Sequence, residues 1–196
     1  YWSSVTCSYD GLKLAAAPAG GYIFTSADSG TTWTQRTTAG SRNWQGISSS
    51  ADGTKLVAIV GGGYIYTSSD FGSTWTARTA AGGRGWAALA ASSDNSKILA
   101  AEYGGYIYTS SDSGVTWTEH AELDLKPWIS AASSADGTRL IILEEGGYAY
   151  ISSDSGATWT ELTDLGARSW RSVSSSADGS RLAAISLYDS VFVSTD

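Results

Sequence analysis

The residues best suited to chemistry are cations, carboxylates and tyrosines that return at one fixed spacing. The cations, each two positions before a tryptophan, are Arg42, Arg84, Lys126 and Arg168; the acidic and phenolic residues are Glu102, Tyr103, Glu144, Glu145, Tyr188 and Asp189. Such cations attract anions or carboxylates, and two carboxylates across a cleft are what glycoside hydrolysis requires. We favour the interpretation that these cations belong to the repeat and stack on tryptophan or are solvated. The alternative is that the cations, carboxylates and tyrosines together form a binding face.

The elements that position these residues are set by a repeat of 42 residues. The motif Ser-x-Asp-x-Gly-x-Thr-Trp occurs at 26–33, 68–75, 110–117 and 152–159, and Asp196 opens a fifth copy. Each period reads as four short strands, A to D, separated by Gly-containing turns. A period near 40 to 45 residues with four strands is typical of a propeller blade. We predict a single all-β propeller domain over 1–196, with blades at 1–43, 44–85, 86–127 and 128–169 and a partial blade at 170–196.

The aspartates and tryptophans of this motif have a structural explanation. They are Asp28, Asp70, Asp112 and Asp154, with Trp33, Trp75, Trp117 and Trp159. Asp accepts hydrogen bonds from the amides that follow it, Gly takes a positive φ, and Trp closes over the turn. One carboxylate per turn is too few for calcium. We therefore predict no metal and no cofactor.

These four motif copies resemble the Asp-box (BNR) β-propellers, and the resemblance covers the whole chain. That family includes sialidases, sorting receptors and photosystem assembly factors, so it implies a fold and leaves the function open. A sialidase would need an arginine triad and a Tyr–Glu nucleophile pair within a six-bladed ring. The arginines here recur with the blade and we count five blades, so we predict no enzyme activity.

The remaining tryptophans begin the A strands: Trp2, Trp44, Trp86, Trp128 and Trp170. Strand A is innermost in a propeller, so we expect these side chains near the rim of the axial channel. They either pack between blades or form channel-mouth aromatics that stack on a sugar, and we favour packing.

The fifth period stops after strand C, so we expect a three-stranded last blade with an exposed edge near 190–194. Such an edge invites a partner strand. We favour a longer polypeptide whose next residues supply strand D, and docking of another chain is the alternative. Because the chain starts at Tyr1 without a signal or membrane segment, we expect a mature or excised fragment.

Composition narrows the partners. The net charge is −7, without a basic run, which argues against nucleic acid and anionic membranes. Only 16% of residues are charged, which fits an exported protein or a subunit packed among others. We predict that Cys7 is a small buried strand residue and that His120 is a surface strand residue.

We therefore predict a non-catalytic structural or protein-interaction propeller that is exported from the cytoplasm. A subunit of a larger or filamentous assembly is one form that this prediction includes. Its expected partners are proteins, including other copies or a neighbouring domain that completes blade five. The alternatives are a carbohydrate-binding lectin and an assembly factor that binds an acidic protein segment through the cation ring.

Overall fold

The computed structural model of the chain describes residues 1–187 and 190–194. It is an all-β structure of nineteen strands arranged as five successive blades, in which blades 1 to 4 have four strands and the described part of blade 5 has three. The predicted fold class is therefore confirmed. The predicted opening of a fifth Asp motif at Asp196 lies outside the described residues.

The strands follow the order A, B, C, D in each blade. The A strands are Trp2–Cys7 (β1), Arg42–Ser49 (β5), Arg84–Ala91 (β9), Lys126–Ser133 (β13) and Arg168–Ser175 (β17). The B strands are Leu14–Gly21 (β2), Leu56–Gly63 (β6), Ile98–Gly105 (β10), Leu140–Gly147 (β14) and Leu182–Ser186 (β18). The C strands are Ile23–Ser26 (β3), Ile65–Ser68 (β7), Ile107–Ser110 (β11), Ala149–Ser152 (β15) and Val191–Ser194 (β19). The D strands are Thr34–Arg36 (β4), Thr76–Arg78 (β8), Thr118–His120 (β12) and Thr160–Glu161 (β16). Two short 3₁₀ helices, Ala121–Leu123 and Thr163–Leu165, lie before the A strands of blades 4 and 5.

Neighbouring strands within a blade are antiparallel, and successive blades are joined by a second pairing. In blade 2, β5 pairs with β6, β6 with β7 and β7 with β8. The end of β6 then leaves its own blade and pairs with the start of β9, where Gly63 lies opposite Arg84. We predicted Gly-containing turns between the strands, but Gly61, Gly62 and Gly63 continue strand B because its partner comes from the next blade.

This pairing defines two faces of the molecule. The starts of the A strands and the ends of the B strands form one surface, which we call the top face. The A–B turns and the C–D turns form the opposite surface, the bottom face. The pairing of Gly21 with Arg42 places the D–A loops and the B–C turns together on the top face.

The hydrophobic core lies between blades. Ala15, Ala17 and Ile23 of blade 1 form one buried cluster with Trp44 and Ile47 of blade 2. The same arrangement recurs between blades 4 and 5, where Leu143 and Ala149 pack with Trp170 and Val173. Each blade therefore contributes one apolar face to the preceding blade and one to the following blade.

The bottom face carries a row of backbone hydrogen bonds that links all five blades. The amide of one A–B turn donates to the carbonyl of the equivalent turn in the next blade. These bonds, here called the turn ladder, run from Tyr9 to Ala51 (2.7 Å), Ala51 to Ser93 (2.6 Å), Ser93 to Ala135 (2.7 Å) and Ala135 to Ala177 (2.7 Å).

The blades form an open arc. β1 packs against β5, β5 against β9, β9 against β13 and β13 against β17. Among the described residues, no strand pairing joins blade 1 to blade 5. Blades 2 to 5 each pack one side against the preceding blade. In blade 1 the equivalent side is exposed.

This open end explains why the expectation for Cys7 was wrong. Cys7 lies on β1 and is exposed, whereas its repeat equivalents Ser49, Ala91, Ser133 and Ser175 are each partly covered.

As for membrane association, the helices found within residues 1–187 and 190–194 are all too short to cross a bilayer.

Candidate interaction face

The Asp motif forms a self-contained turn on the bottom face. In blade 4, Asp154 Oδ1 accepts hydrogen bonds from the Thr158 amide (2.8 Å) and from Ser152 Oγ (2.8 Å), and its Oδ2 accepts one from Thr158 Oγ1 (2.6 Å). The Ser152 hydroxyl in turn accepts from the amide of Gly156, whose φ is 91°. Asp28, Asp70 and Asp112 make the same bonds.

These hydrogen bonds change the acidity of the aspartates. Donation by the Thr158 hydroxyl and amide holds the pKa of Asp154 at about 2, below its ordinary value of 3.8. In the A–B turns, donation by the Ser50 hydroxyl and the Thr54 amide lowers the pKa of Asp52 to about 2. Both sets of aspartates are therefore fully used within their own turns. No group of three or more His, Cys, Asp or Glu in the described parts of the chain is placed to hold a metal.

The tryptophans that begin the A strands are not a channel-mouth surface, which corrects one of the two interpretations of the sequence. Trp44, Trp128 and Trp170 are 0% exposed and Trp86 is 1% exposed. Each lies between blades, edge-on to the aromatic ring of strand C; for Trp128 and Tyr150 the ring centroids are 5.3 Å apart. Trp128 Nε1 also donates to the carbonyl of Gly105 in the preceding blade (3.0 Å). Only Trp2, which has no preceding blade, is exposed.

The four recurring cations lie at the start of strand A and stack on aromatic rings, although not on tryptophan. Each lies over the strand C ring of its own blade: Arg42 over Tyr66 at 4.7 Å, Arg84 over Tyr108 at 4.6 Å, Lys126 over Tyr150 at 5.5 Å and Arg168 over Phe192 at 4.3 Å. Arginine Nε also donates to the carbonyl three residues earlier, as in Arg84 to Ala81 (2.6 Å). The cations are thus fixed to their blades by stacking and backbone contacts.

Within the described residues, Arg84 and Lys126 also face carboxylates. Arg84 lies 3.5 Å from Glu102 and 3.8 Å from Glu119, and Lys126 lies 3.6 Å from Glu144. Glu102 and Glu144 lie at the ends of the B strands rather than in turns. A β-carbon at Gly105 or Gly147 would collide with these glutamate side chains, so glycine leaves the space in which they fold back towards the cations.

Blade 2 differs from blades 3 and 4 at this place. The positions equivalent to Glu102 and Glu119 are Val60 and Ala77. Within the described residues, Arg42 makes no ion pair; it contacts the Tyr66 ring and the Ala39 carbonyl. The top face is therefore charge-neutralised over blades 3 and 4 and cationic at blade 2.

The top face of blades 3, 4 and 5 also carries a row of three hydrogen-bonded side chains. Tyr103 Oη donates to Glu145 Oε2 at 2.9 Å, and the Arg171 guanidinium donates to Glu145 Oε1. We call these three residues the polar row. Tyr103 is 55% exposed, and the side chains of Glu145 and Arg171 are 30% and 43% exposed. The row is accessible to a partner, and its three members are joined by hydrogen bonds.

The hydrogen bonds of the polar row shift the pKa of two of its members. Donation by Arg171 and Tyr103 lowers the pKa of Glu145. The hydrogen bond to the charged Glu145 raises the pKa of Tyr103. Glu145 is thus a charged acceptor and Tyr103 a neutral donor at physiological pH. The predicted binding residues Tyr188 and Asp189 lie outside the described residues.

His120 is buried, which corrects its prediction as a surface residue. It is 5% exposed; its Nε2 lies 2.7 Å from Thr109 Oγ1 and its Nδ1 lies 2.9 Å from Glu122 Oε1. In blades 1 and 2 the equivalent Arg36 and Arg78 donate Nε to Thr25 and Thr67. The shorter imidazole makes the same contact to threonine only by lying inside the blade.

Sequence reasoning missed Arg171 and the distribution of charge. Arg171 follows Trp170 at a position that holds Ser, Gln, Ala and Ile in the other blades, so a search for recurring cations passes over it. Residues 1–85 carry six basic and four acidic side chains, whereas residues 86–196 carry six basic and fifteen acidic ones. The first two blades are therefore slightly positive and the rest of the chain is strongly negative.

The repeat, the blade pairing and the inter-blade core find a counterpart among known families. Residues 14–133 match the DUF6242 beta propeller domain. The chain belongs to this family. A search of curated proteins finds no match to this member of the DUF6242 propellers.

Solved structures resemble this DUF6242 propeller in fold. The GH74 enzyme of Niastella koreensis superposes with a TM-score of 0.73 at 21% identity, over 100% of this chain and 30% of that chain. YCF48 bound to D1 peptide gives 0.71 at 18% identity, over 100% and 63%. The nidogen/laminin complex gives 0.75 at 15% identity, over 98% and 74%. The chain thus spans less than two thirds of the length of the first two of these relatives, and the likeness is one of fold.

Proposed function

We propose that this chain is a non-catalytic protein-interaction propeller that binds a polypeptide segment across the top face of blades 3 to 5. The observation that carries the proposal is the polar row, in which Tyr103, Glu145 and Arg171 from three successive blades are exposed and hold one another in place. Tyr and Arg are the residues that most often contribute strongly to protein interfaces. Side chains that are ordered before binding lose less conformational entropy when a partner docks.

The acidity of the row supports binding rather than catalysis. A glycosidase needs a carboxylic acid with a raised pKa, whereas the pKa of Glu145 is lowered. Tyr103 and Glu145 form a Tyr–Glu pair in which Glu145 is charged and Tyr103 is neutral, so the pair lacks the protonated carboxylic acid that cleavage of a glycoside uses.

The comparisons support the class of partner. Two of the similar structures contain protein partners, the D1 peptide with YCF48 and laminin with nidogen. We carry over only the use of a propeller to hold a polypeptide. We also propose that the chain lies outside the cytoplasm, because its charged fraction is low. We further propose that it is an Asp-box propeller, because four copies of the Asp motif recur in it.

A narrower form of the function is suggested by Arg42. Because this cation makes no ion pair within the described residues, an acidic segment reaching blade 2 would neutralise it without displacing a carboxylate. Arg84 offers no such opportunity, since Glu102 and Glu119 already face it. A charge reversal at Arg42 would then weaken binding more than one at Arg84.

The experiment is selection of binders from a displayed peptide library on the purified chain. Tyr103→Ala and Arg171→Ala are expected to abolish binding of the selected peptides. The matched controls are Tyr9→Ala, an exposed tyrosine of the bottom face, and Arg181→Ala, which are expected to leave binding unchanged.

The same sample is tested on a glycan array and with aryl glycosides. Glycan binding that is lost in Tyr103→Ala would instead make the chain a lectin, with the exposed tyrosine as its stacking surface. Turnover of an aryl glycoside that is lost in Glu145→Gln would contradict the non-catalytic assignment.

A further inference from the structure

The two ends of the arc expose apolar faces that the interior of the arc buries. At blade 1, Trp2 is 65% and Val5 69% exposed, and with Ala16, Phe24 and Trp33 they line a groove of about 720 Å³. We call this surface the front face. At blade 5, Ile185, Val191 and Val193 are 44%, 66% and 66% exposed. We call this surface the back face.

Each end face is one half of an interface that the chain builds four times. The positions equivalent to Trp2 and Val5 in blade 2 are Trp44 and Ile47, which are 0% and 6% exposed because blade 1 covers them. The positions equivalent to Ile185 and Val191 are Ile59 and Ile65 in blade 2, both 0% exposed because blade 3 covers them. The front face therefore has the composition of a surface that receives a back face.

The turn ladder ends in complementary backbone groups at the same two faces. Each inner rung runs from an amide to the carbonyl of the next blade. Among the described residues, the Ala177 amide in blade 5 has no acceptor and the Tyr9 carbonyl in blade 1 has no donor. One rung of the same kind would join them if blade 1 of another molecule followed blade 5.

Side chains extend the same pattern. Lys13 Nζ donates to the Asp52 carbonyl in the next blade (3.0 Å), and Lys55 Nζ donates to the Asp94 carbonyl (3.2 Å). Arg181 holds this position in blade 5, and Asp10 is the equivalent acceptor residue in blade 1.

We propose that the front face of one copy packs on the back face of a second copy, so that the series of blades continues head to tail between molecules. The contact is heterologous, because it joins two different surfaces, and it repeats until the arc closes or a filament forms. It uses neither the polar row nor the edge of β19, so it is independent of the proposed peptide binding and differs from the strand addition that the sequence suggested. A second copy fits because every copy carries both halves in matching register.

The test uses sedimentation velocity on the whole chain and on two variants, Val5→Asp in the front face and Val193→Asp in the back face. The unaltered chain is expected to form larger species as its concentration rises. Each variant alone is expected to remain monomeric, because a carboxylate buried in this apolar contact weakens association by about 100-fold. Mixed in equal amounts, the two variants are expected to form dimers and nothing larger, because each still offers the face that the other needs.

The matched control is Val115→Asp, at a valine of the blade 3 turn that is 53% exposed and lies on neither end face. It is expected to associate like the unaltered chain, and tryptophan fluorescence checks that all variants are folded. Monomers of the unaltered chain at every concentration would overturn the proposal and leave further blades of the same polypeptide, or a different protein, to cover these faces. Dimers of each variant alone would also overturn it, since that result means that like faces pair.

Discussion

Asp154 shows how a single carboxylate organises a whole turn of the repeat. It accepts hydrogen bonds from Ser152 and Thr158, and the Trp159 ring closes over Gly156. The same hydrogen bonds form in all four copies, so the carboxylate oxygens of these aspartates are occupied within their own turns. The proposed binding therefore rests on departures from the repeat, such as Arg171 and Tyr103.

The lowered acidity of these aspartates predicts a loss of stability in acid. In the unfolded chain their pKa returns to 3.8, whereas Asp154 in the folded protein has a pKa of about 2. The stability that they contribute is therefore complete above about pH 4 and is lost as the pH falls towards about 2. Thermal unfolding followed by tryptophan fluorescence should show Tm falling across this window.

The variant Asp154→Asn should lower Tm at neutral pH and reduce its dependence on pH in this window. The control is Asp164→Asn, at an exposed carboxylate that accepts no hydrogen bond within the described residues. Equal pH profiles for Asp154→Asn and the unaltered chain would contradict the role of these turns.

The sequence predicted the residues of the turns well, because every partner of the aspartate lies within four positions along the chain. It predicted the aromatic stacking of the cations and misidentified the ring, since Tyr108 and Arg84 meet only through strand pairing. It missed the partners of Glu145, because Tyr103 and Arg171 lie one blade before and one blade after it. No local sequence pattern predicts contacts between residues of different blades.

At the scale of the element, the structure differs from expectation where strands change partners. The glycines that end the B strands read as turns, whereas they remain in the strand because the next blade supplies their hydrogen bonds. Strand A likewise begins at the cation rather than at the tryptophan two residues later. A repeat predicts how many strands there are, and inter-blade pairing decides where they end.

The blade interface predicts losses of stability of very different size for two tryptophans at one repeat position. Trp128→Ala should lower the free energy of unfolding by about 3 to 5 kcal/mol, because its ring is fully buried and its Nε1 bonds to Gly105. Trp2→Ala removes the same side chain from an exposed site and should cost about 1 kcal/mol or less in dilute solution. Urea unfolding of both variants makes the comparison, and equal losses would contradict the role assigned to the preceding blade.

At the scale of the whole molecule, stability should be greatest in the middle of the arc. Blades 2, 3 and 4 are covered on both sides, whereas blades 1 and 5 are covered on one. In repeat structures stability is close to a sum of units and their contacts with neighbours. Units with one neighbour therefore open more easily.

Hydrogen exchange measures this gradient directly. Amides of Leu99 and Ile142 in the central blades should exchange more slowly than those of Ala16 and Ala184 at the ends. Raising the protein concentration should protect the end amides selectively if copies join head to tail. Equal protection in all five blades of the dilute monomer would mean that the arc unfolds as one unit.

The turn ladder has a consequence for how such a chain changes in length. Its rungs use only main-chain groups and have the same register at every step. Duplication or loss of one 42-residue segment would therefore leave the same main-chain hydrogen bond at the new junction. A duplicated blade would keep these main-chain bonds at both joints while its top-face residues vary.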